Sequence, residues 1–110
     1  MAELEIFDNG VSIEQIIPAL DRDGAVIIRD LLSMEITTQI IEDLSETLEA
    51  STPGSKSGIE SWEEFHGGKT VRFCGLAAKS RAFVDHALLN EYLIKVSDHY
   101  LLKSCADYWL

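Results

Sequence analysis

Residues 20–32, LDRDGAVIIRDLL, contain the pattern from which the rest of the fold is inferred. Gly24 follows three charged residues, a position typical of the end of a helix. The run after it is apolar and mostly β-branched, which predicts a strand over 25–29 that is covered on both faces. Ser33 then begins a long helix. Because one buried strand needs neighbouring strands, the fold depends on which other segments supply them.

Spacing of the isoleucine and leucine residues predicts helices over about 12–22 and 33–50. The first helix has a capping box, Ser12 with Gln15, but also Pro18, which implies a kink or a start nearer the proline. The remaining predicted elements are a loose arm over 1–11, a short helix near 62–65, a strand over Thr70–Cys74, helices begun by Ser80 and Asn90, and a third strand beginning in Ala106–Leu110. Together, residues 1–110 are predicted to form a single incomplete domain.

The composition limits the classes of partner. The chain has 110 residues and a net charge of −10, with no cluster of Lys and Arg, so neither nucleic acid nor an anionic membrane surface is expected as a partner. Cys74 and Cys105 lie far apart and suggest reduced thiols. The acidic start, MAELEIFDNG, does not resemble a leader peptide, and a cytoplasmic location is expected.

Candidate catalytic residues are few. His66, His86 and His99 are not part of a His-x-Asp or His-x-Glu pair, so no metal site is predicted. Residues 66–70, HGGKT, resemble a phosphate-binding loop only weakly, because a strand is predicted after them instead of a helix. A nucleophilic Cys74 assisted by a histidine stays open as an alternative, although a small buried thiol is the more common environment.

Thr70 and Arg72 are the candidate substrate-binding residues. They alternate with apolar residues and so share one face of the predicted strand, which indicates that this face borders a polar cavity. An arginine there suits an anionic group, the alternative being an exposed or ion-paired side chain. A second open question concerns residues 31–55, which contain no Lys or Arg. Their acidic face is either solvated or a partner-binding surface.

In this order, the segments resemble the N-terminal part of the phytanoyl-CoA dioxygenase family of Fe(II)- and 2-oxoglutarate-dependent oxygenases. The resemblance covers most of residues 12–110 and is closer to fungal and bacterial members that act on small natural products. It rests on Leu20–Ile28, the Leu32–Ser33 start of a helix, Lys69–Arg72, and Gly75–Ser80 followed by a helix with Phe83.

The resemblance implies an α+β fold in which helices pack on a few strands, as the N-terminal portion of an incomplete double-stranded β-helix, or jelly roll. In that family a His-x-Asp pair and a distant His bind iron, and an Arg binds the carboxylate of 2-oxoglutarate. No residue of this sequence matches any of these ligands. No catalytic, cofactor-binding or metal-binding residue is therefore expected in this chain. Fe(II), 2-oxoglutarate and a small organic substrate are expected only of the complete enzyme, and the chain alone is expected to be inactive. Thr70 and Arg72 match a family segment that borders the active-site cavity.

The alternative function is a stand-alone, non-catalytic binding or regulatory module. Too few strands are predicted to close a barrel, so open strand edges are expected. Such a module would dimerise through these edges or pair with a full-length relative.

Overall fold

The computed structural model describes residues 3–54 and 58–108, in which helices surround a two-stranded parallel sheet. In chain order the elements are β1 (Ile6–Asp8), α1 (Ile13–Asp23), β2 (Ile27–Arg29), α2 (Met34–Ala50), α3 (Glu60–His66), α4 (Leu76–Lys79), a π-helix (Phe83–Leu88) and α5 (Glu91–Leu101). The described part of the chain is thus of the α+β class.

The strands β1 and β2 are joined by α1 in a β-α-β unit. Their register pairs Ile6 with Ile27, and the Ile27 N–H donates to the Glu5 carbonyl at 3.0 Å. Parallel strands need such a crossover, which α1 provides. The arm predicted over 1–11, expected to dock through Leu4, Ile6 and Phe7, thus contains a paired strand that the sequence did not indicate. Three residues are too short for a visible alternation, and their pairing partner lies about twenty residues away.

The predicted helix ends are largely confirmed. Gly24 has φ +74°, and its N–H donates to the Leu20 carbonyl at 2.9 Å, which ends α1. Ser33 accepts from the Ile36 N–H at 3.3 Å, and the Asn90 side chain accepts from the Tyr92 N–H at 3.0 Å. These two caps begin α2 and α5 as the sequence predicts.

At the start of α1 the structure corrects two details. The helix begins at Ile13 and continues through Pro18, so the start nearer the proline is wrong. The Ser12 side chain caps no backbone N–H, and its hydroxyl instead donates to Gln15 Oε1 at 3.5 Å. The capping box is therefore replaced by a contact between two side chains.

The predicted two-sided burial of residues 25–29 is also wrong. The strand β2 comprises only Ile27–Arg29, and Ile27 is 45% exposed while Ile28 is half-buried. Within residues 3–54 and 58–108, β1 is its single partner, so the sheet is too small to be covered on both faces.

Neither of the other predicted strands is present in the described chain. Residues 70–75 form neither a helix nor a β-ladder, although the Thr70 carbonyl accepts from the Gly54 N–H at 2.8 Å. High β-propensity is not sufficient here, since a strand also requires a hydrogen-bonding neighbour. Residues 106–108 are likewise irregular, and the remainder of that prediction, Trp109 and Leu110, lies outside the described residues.

The packing is centred on α1. Among the described residues, Ile16, Ala19 and Ser80 are the fully buried ones. The helix α5 runs parallel to α1, because Tyr92 contacts the segment before α1 and Tyr100 donates to Asp21 Oδ1 near its end at 2.7 Å. The Cα radius of gyration is 17.2 Å, against about 13 Å for a compact domain of this length. The chain is therefore loosely packed.

No helix in the described residues combines the length and apolar character needed to cross a bilayer.

Candidate functional site

The candidate site is a shallow cleft of about 530 Å³ along α3, lined by Ser61, Trp62, Phe65 and His66. We call these four residues the α3 cleft. The helix itself is only seven residues long, and Gly67 ends it with φ +69°. At its start the Glu63 side chain folds back to accept from the Gly58 N–H at 3.1 Å. A short helix held at both ends in this way presents its aromatic residues to solvent.

The aromatic residues of the cleft contact one another through His66. Its Nδ1 lies 2.7 Å from the Trp62 carbonyl oxygen, which fixes the ring and makes this nitrogen the protonated one. The Phe65 ring meets the imidazole edge-on at a centroid distance of 5.4 Å, and the Trp62 ring lies 6.3 Å away. Trp62 and Phe65 are 58% and 77% exposed. The cleft therefore offers apolar aromatic surface beside a nitrogen donor or acceptor, His66 Nε2.

The structure places Arg72 next to this cleft but does not place Thr70 against it. The Arg72 guanidinium carbon is 5.9 Å from the centre of the Phe65 ring, a cation–π distance. Both Thr70 and Arg72 are exposed, on the irregular stretch that follows α3. The structure thus brings one predicted substrate-binding residue to an aromatic surface that the sequence analysis did not identify. The available signal was the pair of aromatic residues spaced three apart in SWEEFH.

The arrangement suits recognition of an organic ligand that has an apolar or aromatic part and an anionic group. The cleft supplies ring faces for the first part, and the guanidinium supplies paired hydrogen-bond donors for the second. None of its four lining residues carries a carboxylate that could form a catalytic pair with the imidazole. The chemistry that it supports is therefore binding and orientation.

The other sequence candidates lie elsewhere. Cys74 is exposed, which corrects the expected buried thiol, and Cys105 is exposed as well. His86 and His99 lie on the π-helix and on α5. Within residues 3–54 and 58–108, no group of three His, Cys, Asp or Glu side chains is placed to hold a metal ion. Residues 67–69 are followed by an irregular stretch and not by a helix, so the weak phosphate-loop hypothesis has no helix N-terminus to support it.

A partly buried polar contact joins α2 to the segment just before the π-helix. The Ser80 hydroxyl donates to Asp43 Oδ2 at 2.6 Å and accepts from the Phe83 N–H at 3.0 Å. Gln39 donates to the other Asp43 oxygen at 2.8 Å. These two donors, Ser80 first, lower the pKa of Asp43. Both Asp43 oxygens and the Ser80 hydroxyl have hydrogen-bond partners within the protein. We therefore assign this cluster a role in stabilising the fold.

A second cleft, of about 410 Å³, separates the β1–α1 turn from α5. Tyr92 closes one side, since its hydroxyl accepts from the Gly10 N–H at 2.9 Å and donates to the Val11 carbonyl at 2.8 Å. On the same helix, Lys95 pairs with Glu91, and this hydrogen bond is the main cause of the raised pKa of Lys95. Two of the charged side chains along this cleft, Lys95 and Glu91, are therefore paired with each other.

The comparisons with known proteins identify dioxygenases. The chain is 35% identical over 81 residues to the dioxygenase ALT11 of Alternaria alternata, covering 74% of this chain and 27% of that protein. It is 29% identical over 102 residues to the dioxygenase FUM3 of Gibberella moniliformis, with 89% and 34% covered, and 26% identical over 98 residues to the dioxygenase olcK of Penicillium canescens, with 89% and 32% covered. No protein-family model matches the chain. The chain is thus similar to fungal dioxygenases, and it spans between a quarter and a third of the length of these relatives.

Proposed function

We propose that this chain is the N-terminal part of a phytanoyl-CoA dioxygenase-like enzyme, which oxidises a small organic molecule with Fe(II) and 2-oxoglutarate. The similarity to ALT11, 35% over 81 residues, is the observation that carries the proposal. The ordered motifs from Leu20–Ile28 to Gly75–Ser80 supply the finer assignment to that family and to a jelly-roll fold.

The residues present do not fit an iron site. None of His66, His86 and His99 is followed two residues later by Asp or Glu, and two or three protein ligands are the minimum for holding iron. Since the relatives are three to four times longer than the aligned region, we place the iron ligands in a part of the enzyme that these 110 residues do not include. The chain alone is then inactive.

Within this proposal, the α3 cleft with Thr70 and Arg72 borders the substrate cavity. The exposed faces of Trp62 and Phe65 would contact the apolar part of the substrate, and Arg72 would contact an anionic group. Large exposed apolar side chains are typical of surfaces that bind something. Because the chain is loosely packed, the remainder of the enzyme would also contact some of these exposed side chains.

The test is to clone the complete coding sequence that contains these residues and to assay its product for succinate formation from 2-oxoglutarate. We expect a His-x-Asp pair and a second His outside the 110 residues, and turnover that requires Fe(II). A complete product that lacks these ligands, or that converts no 2-oxoglutarate, contradicts the proposal. Iron-dependent turnover by the 110-residue chain alone contradicts the placement of the ligands.

Arg72 has a matched control in this assay. Arg72→Gln in the complete enzyme is expected to raise KM for the organic substrate, because the anionic group loses its partner. Arg29→Gln removes the same charge from an exposed arginine on β2, and KM is expected to stay unchanged. Equal effects of the two substitutions would show that Arg72 acts only through net charge.

A second candidate function, the stand-alone binding module, is favoured by the exposed face of the sheet. Ile6 and Ile27 are register partners, and both are nearly half exposed. They form a small apolar patch on a sheet to which another strand can be added. Sedimentation velocity tests this candidate: a dimer that Ile27→Thr dissociates supports it, and a monomer at all concentrations contradicts it.

A further inference from the structure

The outward face of α2 carries a regular apolar ridge. Met34, Ile41 and Leu48 are 80%, 59% and 42% exposed. They are spaced seven residues apart, which places them almost in line along the helix, about 10 Å from one to the next. This is the spacing of one core position in a coiled coil. Scattered single apolar residues need no explanation on a surface, but a repeated line of them does.

An acidic ridge runs beside the apolar one. Glu35, Glu42 and Glu49 each follow a ridge residue directly, so they repeat with the same period of seven, and all three are exposed. Thr38 and Ser45 fill the strip between the two ridges. No Lys or Arg occurs in residues 31–55 to neutralise the carboxylates. Among the described residues, no ion pair involves these three glutamates.

These ridges are distinct from the face with which α2 packs on its own chain. The half-buried side chains Ile36, Ile40 and Leu44 lie on the other side of the helix, together with Asp43, which contacts Ser80. Within the described residues, both ridges therefore remain accessible when α2 is in place. The helix has 17 residues and a length of about 25 Å, enough for a partner helix of several turns.

We propose that the two ridges of α2 dock a basic amphipathic helix of a partner protein. Its apolar residues would pack on Met34, Ile41 and Leu48, and its Lys and Arg side chains would reach across the Thr38–Ser45 strip to the carboxylates. Charge complementarity selects this partner. A second copy of the chain would bring two acidic ridges together with no cation in 31–55 to separate them, which is unfavourable.

The probe, titrated with the complete enzyme, is a fluorescent peptide of about three heptads, with Leu at the core positions and Lys elsewhere. A peptide with Glu in place of Lys is its control. We expect the basic peptide to bind, with an affinity that falls as salt is added, and the acidic peptide not to bind. Hydrogen exchange of the complex should slow within Met34–Ala50. No binding of the basic peptide overturns the proposal.

Two sets of variants locate the peptide on α2. The triple change Glu35→Gln, Glu42→Gln and Glu49→Gln should weaken binding about tenfold, as expected for three exposed ion pairs. The matched triple Glu3→Gln, Glu60→Gln and Glu64→Gln removes the same charge elsewhere and should change affinity less than about twofold. Equal losses in the two triples overturn the proposal, because net charge alone would then explain binding.

The apolar ridge is tested in parallel. Ile41→Ser should weaken peptide binding by at least about tenfold, while Leu89→Ser, at an equally exposed leucine, should leave it unchanged. Circular dichroism shows whether each variant is folded. If Ile41→Ser does not fold, Leu48→Ser replaces it as the test of the apolar ridge. A chain that sediments as a dimer and becomes a monomer with Ile41→Ser overturns the proposal, because the ridge would then bind a second copy.

Discussion

The helix α1 of the β-α-β unit and the α3 cleft differ in how they expose apolar side chains. In the first, Ile16 and Ala19 of α1 are 1% exposed. The hydroxyls of Tyr92 and Tyr100 tie the two ends of α1 to α5. In the second, Trp62 and Phe65 stand in solvent on a seven-residue helix. One region is held by its own packing, and the other presents its apolar surface.

The difference separates side chains that support the fold from side chains available for binding. Burial of a large apolar side chain contributes on the order of 2 kcal/mol to stability, and an exposed one contributes little. Truncation of a buried side chain of α1 should therefore reduce the free energy of unfolding, whereas truncation in the α3 cleft should change it little. Substitutions in the two regions test this contrast directly.

The largest effect is expected from Ile16→Ala. Removing most of a buried side chain leaves a cavity, which costs about 2–4 kcal/mol and is enough to unfold much of a loosely packed chain. Trp62→Ala removes a larger side chain, but one that is mostly exposed, and should change the free energy of unfolding by less than about 0.5 kcal/mol. Urea unfolding followed by circular dichroism measures both. A greater loss with Trp62→Ala would reverse the comparison.

Ser80→Ala should have the next largest effect. The substitution removes the cap of the Phe83 N–H and leaves Asp43 without its closest donor. The free energy of unfolding is expected to fall by about 1–3 kcal/mol. Ser45→Ala is the control, because that hydroxyl is exposed and bonds only to a carbonyl of its own helix. Equal losses in the two variants would show that the partly buried contact has no special role.

The Asp43 carboxylate gives a pH-dependent version of the same test. Its pKa is lowered from the ordinary value of 3.8, first by Ser80 and then by Gln39. A lowered pKa in the folded state means that the contact stabilises the protein above the ordinary pKa and that this stabilisation is lost as the pH falls through the lowered value. The difference in stability between the native chain and Asp43→Asn should therefore be constant near neutral pH and shrink below about pH 4. A difference that does not depend on pH would contradict the assignment.

The sequence is sufficient to predict those elements whose signals are local. Gly24, Ser33 and Asn90 mark helix ends through backbone geometry and caps that involve only neighbouring residues. The strand β1 was not predicted because it forms only by pairing with Ile27–Arg29, about twenty residues further along the chain. The strand predicted over residues 70–74 is absent for the converse reason. These residues have a high β-propensity, but no described strand lies beside them to form hydrogen bonds.

The same limit applies to the site. Arg72 is identifiable from its alternation with apolar residues, even though the strand that motivated this prediction is absent. The approach of its guanidinium to Phe65 is not identifiable, because it depends on the turn over residues 67–69 that brings the irregular stretch back to α3. Exposure of Cys74 follows from the same missing strand, which would have buried it.

The smallest effect is expected from Arg72→Gln. An exposed cation–π contact contributes about 0.5–1 kcal/mol at most, so the free energy of unfolding should fall by no more than this amount. Arg29→Gln, in the β-α-β unit, removes an ion pair with Asp8 at 4.0 Å and should change it by less than about 0.5 kcal/mol. A double-mutant cycle with Phe65→Leu isolates the contact between Arg72 and the ring. A coupling well above about 1 kcal/mol would mean that this contact holds the fold together. A coupling energy near zero would mean that the guanidinium is available for a ligand. The α3 cleft would then differ from the β-α-β unit in function as well as in packing.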